Sequence, residues 1–464
     1  MKSLYKALPL AFLTGSLLHF SAAAQKVNRK TTESLLAKVD SAAMVDYSFT
    51  FSNDMTRIGY RIKKKDRQMI VINNMLGTPY NNVSLPVFSP DGKRFFYHAI
   101  KGTKSVWVFG DVKELKIDSV SPIVNMRYAP DSKSLLYIMA KDGKFYTSFN
   151  NNTGKMYDAI DMNSIAFSKD GSKIAYSAKL NNRQLNVYDG KEGAIYDQVG
   201  FPVLSADGNH IGYWAINGGK WYAIIDGQQG QPFEEVTDIL FSDNGSHYAY
   251  HAKLSQKDVA VYDGKVGEKY SRIHSMLLSG DGAKLAYMFY ADKKDAAGFD
   301  QFVYYDGQKL GAYETVVQNS LKFGPDNKTL AFEAEIHDEF FMVVDGKNGR
   351  KFGDVLQAVT AFSPDNSRFA YAVENETKRF VVESGSAESY HFQDVYFVSF
   401  SPDNKKLLYT ARNANKDMVF VDGNAGRTYD AILNQGQVTF DGANAFHYMA
   451  MKGSSIVLVK ETVE

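Results

Sequence analysis

The chain lacks cysteine entirely across its 464 residues. That excludes disulfide bonds, thiolate metal sites and a cysteine nucleophile, and with them a lipid anchor attached through cysteine after export. A chain this long buries enough apolar surface to stand without covalent staples. Charge of one sign is missing too. Lys and Arg number 53 against 52 Asp and Glu, leaving a formal +1, so bulk charge indicates no nucleic-acid partner. Beyond the first twenty residues there is no apolar run of the roughly 20 residues that a membrane-spanning helix needs. Helical periodicity is nearly absent as well, which excludes a helical solenoid.

Catalytic signatures are equally scarce. The nine histidines form neither H-E-x-x-H nor H-x-H, so no metal site is expected. No G-x-S-x-G elbow, G-x-G-x-x-G turn or Walker loop occurs, so neither a hydrolase triad nor a bound nucleotide is indicated. No cofactor is expected.

What is present begins with an export signal. Lys2 and Lys6 precede an apolar run over 7–20, interrupted at Pro9, Thr14, Gly15, Ser16 and His19, and Ala22-Ala23-Ala24 offers cleavage before Gln25. Residues 1–24 therefore read as a signal peptide, placing the mature chain in the periplasm or outside the cell. In the segment 25–44 a short helix is predicted over 32–43, capped by Thr32 and striped by Leu35, Leu36, Val39 and Ala43.

From residue 45 to 464 one unit repeats. Its anchors are Phe51, Phe88, Tyr128, Phe167, Leu204, Phe241, Leu278, Phe323, Phe362, Phe400 and Phe440, spaced 37 to 45 residues apart. A strand aromatic follows nine residues later, from Tyr60 and Tyr97 through Tyr176 to Tyr409, slipping to eight at Tyr448. Thirteen residues further stands Asp-Gly at Asp189, Asp226, Asp263, Asp345 and Asp422, replaced by Ser384-Gly385 in one repeat and delayed to Asp306 by an insertion in another. Period-2 runs bounded by turn residues resolve each unit into four strands; in the fourth repeat these are predicted at 164–168, 173–179, 184–188 and 194–199. Turns at Asp91, Asp170 and Asp207 join the first two strands, and the Asp-Gly turns join the last two. Glycine there accepts positive φ, and aspartate hydrogen-bonds its own backbone.

Four short antiparallel strands in about 40 residues is the arithmetic of a propeller blade, so the fold class is an all-β propeller of about eleven repeats. The F-S-P-D-G-K turn at Phe88, with Ile174-Ala175-Tyr176 and Phe369-Ala370-Tyr371, resembles the WD-like propeller repeats of the TolB type. That resemblance implies a periplasmic interaction surface, although the separate N-terminal α/β domain of TolB itself is missing. Because propellers usually close with four to eight blades, two consecutive rings are expected, with one large ring as the alternative. The last unit lacks a fourth strand, which residues 25–31 are expected to supply.

Recognition is expected on the face where loops vary. Its hairpins carry Lys63, Lys64, Lys65, Arg67, Lys101, Lys104, Lys141, Lys144, Lys179 and Arg183, and later ones turn acidic around Glu335, Glu339, Glu374 and Glu376. Such an arc suits docking of another envelope protein, with solvated loops as the bland reading. Trp107, Trp214 and Trp221 read as core, or else as platforms for a glycan ligand. His98 and His251 share a repeat position and read as structural, as does the tip His337-Asp338-Glu339. Asp40-Ser41-Ala42 and Asp118-Ser119-Val120 match a short bacterial O-glycosylation pattern. The function expected is a non-catalytic binding or scaffolding propeller. The alternative is an enzyme acting on a polysaccharide or lactone through paired channel carboxylates.

Overall fold

A computed structural model describes residues 28–39, 44–110, 113–115, 123–292, 298–383 and 389–464. The signal segment, Ser41, Ser119 and Ser384-Gly385 lie outside these residues. The described chain forms eleven antiparallel sheets, each one blade of a β-propeller. Blade 1 runs from its inner strand a, Met44–Phe51, through Ile58–Lys64 and Arg67–Ile72 to an outer strand d of two residues, Met75–Leu76. Short outer strands of this kind recur around the ring and present little unpaired backbone for edge-to-edge association.

Blade 4 shows how the repeat differs from its expected boundaries. Strand a comes in two pieces, Ala159–Ile160 and Ala166–Phe167, and strands b and c are Ile174–Leu180 and Arg183–Tyr188. The predicted fourth strand over 194–199 is divided between two blades. Strand d is only Lys191–Glu192, Tyr196 bridges back to Gln184, and Gln198–Val199 already pairs with strand b of blade 5. The chain thus crosses from the rim of one blade to the channel of the next at Tyr196 and Asp197.

That crossover carries the packing between blades. The aromatic in it meets the strand-b aromatic of the next blade edge-on: Tyr80 with Tyr97, Tyr157 with Tyr176, Phe233 with Tyr250, Phe352 with Tyr371 and Tyr429 with Tyr448, at centroid separations of 5.9 to 6.3 Å. Edge-to-face pairs at this distance contribute about 0.5–1.5 kcal/mol beyond the area they bury.

Buried apolar residues gather into clusters that each bridge two neighbouring blades. The clusters run in unbroken cyclic order from blades 1 and 2 through 2 and 3, 3 and 4, 4 and 5, 5 and 6, 6 and 7, 7 and 8, 8 and 9, 9 and 10, and 10 and 11. The final cluster joins blade 11 to blade 1, with Leu36, Met449 and Leu458 against Met55, Ile58 and Tyr60. Two consecutive rings would interrupt this order. The eleven blades close as one large ring, so the two-ring expectation is corrected.

Closure uses the N-terminal strand. Arg29–Lys38 pairs antiparallel with Ser455–Val463, from Arg29 opposite Val463 to Lys38 opposite Ser455. It is the fourth strand of blade 11, overlapping at 29–31 the stretch 25–31 expected to fill that place and running on to Lys38. It also replaces the helix predicted over 32–43. A bulge between Leu35 and Ala37 shifts the side-chain phase, so Leu36 and Ala37 are both buried while Leu35 is 46% exposed. That break in alternation imitates a helical stripe. Arg29 locks the strand: its Nε donates to Glu461 Oε2 at 2.7 Å and its Nη1 to the carbonyls of Val419 and Asn424 in blade 10. Tyr448 Oη donates to the other oxygen of Glu461 at 2.6 Å.

The face opposite the hairpin tips is built from one turn repeated. Ser168 Oγ donates to Asp170 and accepts from Lys173 N, while Asp170 accepts from Ser172 N. Ser89 with Asp91 and Ser205 with Asp207 form the same turn. Backbone bonds then link turn to turn across blades, as from Asp207 N to Asp243 O and from Asp243 N to Gly280 O. In the outer turns Asp189, Asp226, Asp263, Asp345 and Asp422 have φ of 46 to 49° and precede glycines of positive φ. Asp226, Asp263, Asp345 and Asp422 each accept the first N–H of strand b in their own blade.

Two tests follow from this framework. Glu461→Ala leaves the Arg29 guanidinium buried without its carboxylate, a change that costs about 3–5 kcal/mol. Calorimetry is expected to show a melting point several degrees lower, whereas an unchanged one would refute the clasp. The second test is acid titration. Hydrogen bonds from Ser168 and Ser172 hold the Asp170 carboxyl down at about 2, and Asp91, Asp207, Asp281, Asp365 and Asp403 are lowered in the same way. A lowered folded-state value stabilises above the unfolded pKa of about 4, and that stabilisation fades as pH falls toward 2. Asp170→Asn, for which Asn244 of blade 6 is the natural precedent, is expected to weaken the loss of stability between pH 4 and 2.

Candidate functional site

The variable face consists of the b–c hairpins and the crossovers. At several crossovers the residue after the aromatic caps a hairpin: Asn81 accepts from Gly102 N, Asp158 from Asn181 N, Asp197 from Gly218 N, Glu314 from His337 N and Asp430 from Gly453 N, at 2.6 to 2.8 Å. Several of these caps also hold a cation from the hairpin before. Arg67 donates to Asn81 at 2.7 Å, Lys144 to Asp158 at 2.8 Å, and Lys416 to Asp430. Arg183 stands 3.4 Å from Asp197. Arg67, Lys144 and Arg183 are therefore braces between blades.

The other predicted basic residues lie where the hairpins turn. Lys63, Lys64, Lys65, Lys101, Lys104, Lys141 and Lys179 are all exposed. The register places Lys64 opposite Arg67, Lys101 opposite Lys104 and Lys141 opposite Lys144. Like charges directly opposite across a ladder are destabilising, yet three successive hairpins carry them. The acidic hairpins differ. Glu339 is paired with Lys351 and Glu374 with Arg379, at 2.7 and 2.6 Å, so part of that sector is neutralised internally.

A cavity of about 1230 Å³ opens among the inner strands of blades 4 to 8. Trp214, His251, His274, Arg272 and Phe201 are among its lining residues. Of the tryptophans, Trp107 is buried between blades 2 and 3, edge-on to Phe96 at 5.7 Å, and Trp221 packs at 4.7 Å against Trp214, which alone of the three reaches the cavity. His251 Nδ1 is hydrogen-bonded with Thr237 Oγ1 at 2.9 Å, and its Nε2 lies 3.2 Å from Asp258 without a hydrogen bond to a described residue. His98, at the equivalent position, faces Trp107 and contacts Ser105, and burial lowers its pKa. His337 is an exposed hairpin tip.

Sequence reasoning passed over one buried group. Glu333 follows the strand-b aromatic Phe332, is 3% exposed, and its Oε2 meets no partner among the described residues. Burial, aided by the nearby Asp354 charge, pushes its carboxyl up to about 8. The signal was a carboxylate at a repeat position held elsewhere by Ser177, Thr410 and His251. A carboxyl raised on folding opposes folding above its ordinary value near 4.5, and the penalty grows until the folded group ionises near pH 8. Glu333→Gln is therefore expected to raise the melting temperature at pH 7 and to be neutral at pH 4. Equal effects at both pH values would contradict the assignment.

Comparison with known proteins leaves the family open. No family model matches the chain, and no curated protein matches it. Solved structures that resemble it include a eukaryotic initiation factor at 10% identity, covering 72% of this chain and 95% of that one with a TM-score of 0.39. The Dos1 propeller, at 10% identity, covers 73% and 92% with a TM-score of 0.28. Hsv2 of Kluyveromyces lactis, at 8% identity, covers 57% and 98% with a TM-score of 0.25. At these identities the likeness concerns the fold alone.

Proposed function

We propose that this protein is an exported, non-catalytic scaffold of the cell envelope, and that hairpins of blades 1 to 3 dock an acidic surface of a protein partner. The observation that carries this reading is the row of exposed cations at the hairpin tips of blades 1 to 3, where Lys64 stands opposite Arg67, Lys101 opposite Lys104 and Lys141 opposite Lys144. Asp158 already offsets Lys144, whereas Lys64 and Arg67 oppose their own hairpin by up to about 1 kcal/mol, which an acidic partner surface would relieve. Complementary charge of this kind raises association rates and fixes orientation. Lys63, Lys65 and Lys179 extend the same arc. The charged start and apolar run of residues 1–24 support export, and the F-S-P-D-G turns support kinship with TolB-type blades, which serve chiefly as periplasmic interaction surfaces.

The test is crosslinking of the tagged full-length protein in cells, followed by mass spectrometry. One dominant envelope protein is expected, captured at least tenfold less by the Lys63→Glu, Lys64→Glu, Lys65→Glu variant. Capture that is unchanged by the reversal would refute the docking face. These side chains are exposed and Lys64→Glu places a carboxylate opposite Arg67, so the variant is expected to melt no lower than the parent protein.

A further inference from the structure

The inner strands break midway in several blades, and the breaks in blades 5 to 8 line the large cavity. In blade 5 the break is Gly200-Phe201-Pro202, between Gln198–Val199 and Val203–Leu204. Gly200 is fixed on both sides. Its N–H donates to Trp214 O at 2.8 Å, and its carbonyl accepts from Asn186 Nδ2 at 3.0 Å and Ser177 Oγ at 3.3 Å, both buried in blade 4. A Cβ at position 200 would come within 2.4 Å of the Trp214 ring. The backbone so held carries Phe201 outward, 55% exposed in the cavity.

The next three breaks place residues other than glycine in the left-handed region. Asp238 has φ 51°, Ser275 φ 49° and Asn319 φ 63°, and Asn319 N donates to Ser275 Oγ at 2.9 Å. Asp and Asn enter this region more readily than other non-glycine residues, while at Ser275 it carries strain of the kind found at ligand sites. The polar side chains here are also left open. Gln198, Lys253 and Arg272 make no hydrogen bond or ion pair with a described residue, and Glu235 faces Lys253 in register without pairing to it. The hairpin rim differs, since Lys144, Arg183 and Lys416 are braced there.

We propose that this cavity binds an uncharged oligosaccharide, with Phe201 as the platform for one sugar ring and Gln198, Lys253 and Arg272 as hydrogen-bonding groups. Three features select that class. Lys179, Lys253 and Arg272 stand against four carboxylates in the lining, so no single-sign field favours a phosphorylated or polyanionic ligand. The volume exceeds the roughly 300–1,000 Å³ typical of small-molecule pockets, which suits an extended chain. An exposed aromatic ring beside unpaired donors and acceptors matches a ligand with apolar C–H faces and many hydroxyls. The cavity shares Lys179 with the docking arc and none of the lysines reversed in the docking test.

Purified full-length protein is titrated with cellohexaose, xylohexaose, laminarihexaose and maltohexaose, with hexagalacturonate as the charged counterpart. Trp214 and calorimetry report binding. At least one neutral hexaose is expected to change the tryptophan emission and to bind at least tenfold more weakly to the Phe201→Ala variant. Gln198→Ala is expected to weaken it as well, and the Lys63 to Lys65 reversal to leave it unchanged. Binding of none of the neutral chains overturns the proposal, as does hexagalacturonate binding as tightly as the best of them. Unchanged affinity in Phe201→Ala also overturns it. So does capture of the rim's protein partner by a photo-crosslinking residue at position 201, which would make the cavity part of the docking surface.

Discussion

The contact on which the molecule depends is between neighbours: a crossover aromatic of one blade set against the strand-b aromatic of the next. Within a blade, hydrogen bonds fix the strands, but a single four-stranded sheet has two apolar faces and no core of its own. Each face is covered only when another blade arrives. Tyr157 with Tyr176 and Tyr429 with Tyr448 are instances of the same joint, made where the chain itself passes between blades. Covalent continuity and packing therefore coincide at these joints.

The joint between blades 11 and 1 is made differently, because the chain does not cross from blade 11 to blade 1. There the chain uses its N-terminal strand, whose Leu36 and Ala37 enter the cluster shared with blade 1. The same strand reaches the other way through Arg29 to blade 10 carbonyls and Glu461. Glu33 adds a second tie, accepting from Tyr429 and Arg427. Ring size follows from the same logic. Eleven equal joints turn about 33° each, where seven turn about 51°, so neighbouring sheets lie closer to parallel and inner strands stand further from the axis. Width at the centre is the geometric consequence, and the cavity among blades 4 to 8 occupies it.

What the sequence made legible was whatever the backbone imposes identically on each repeat. Asp170 and Asp226 recur because turn geometry needs them, so their spacing disclosed the blades. The crossover aromatic was equally periodic, seven residues after the turn aspartate in Asp189 to Tyr196 and Asp226 to Phe233, but a lone aromatic among polar residues carries no strand pattern. Ring number was hidden because closure is a property of all joints together. The clasp strand was misread because its bulge breaks period 2 at Leu35. Of the basic arc, residue identity revealed the charge but not the division of labour. Whether an arginine braces or projects depends on a cap such as Asn81 or Asp197 in the following blade.

That division bears on how such a ring keeps two faces distinct. On the turn face, Ser168 and Asp170 satisfy one another and the backbone, so substitutions there act on stability before they act on any partner. On the hairpin face, caps such as Asn81 and Asp197 do the structural work at their crossovers. Lys64 stands opposite Arg67 there, a pattern that hairpin stability alone would not select. Braces such as Lys144 to Asp158 hold the tips in fixed relation, so a partner of the proposed kind would meet a preorganised row of charge and lose less entropy on binding. Fixing a tip through a single capping residue, as at Asn81 and Asp197, is an economy that leaves the identity of its neighbours open to variation.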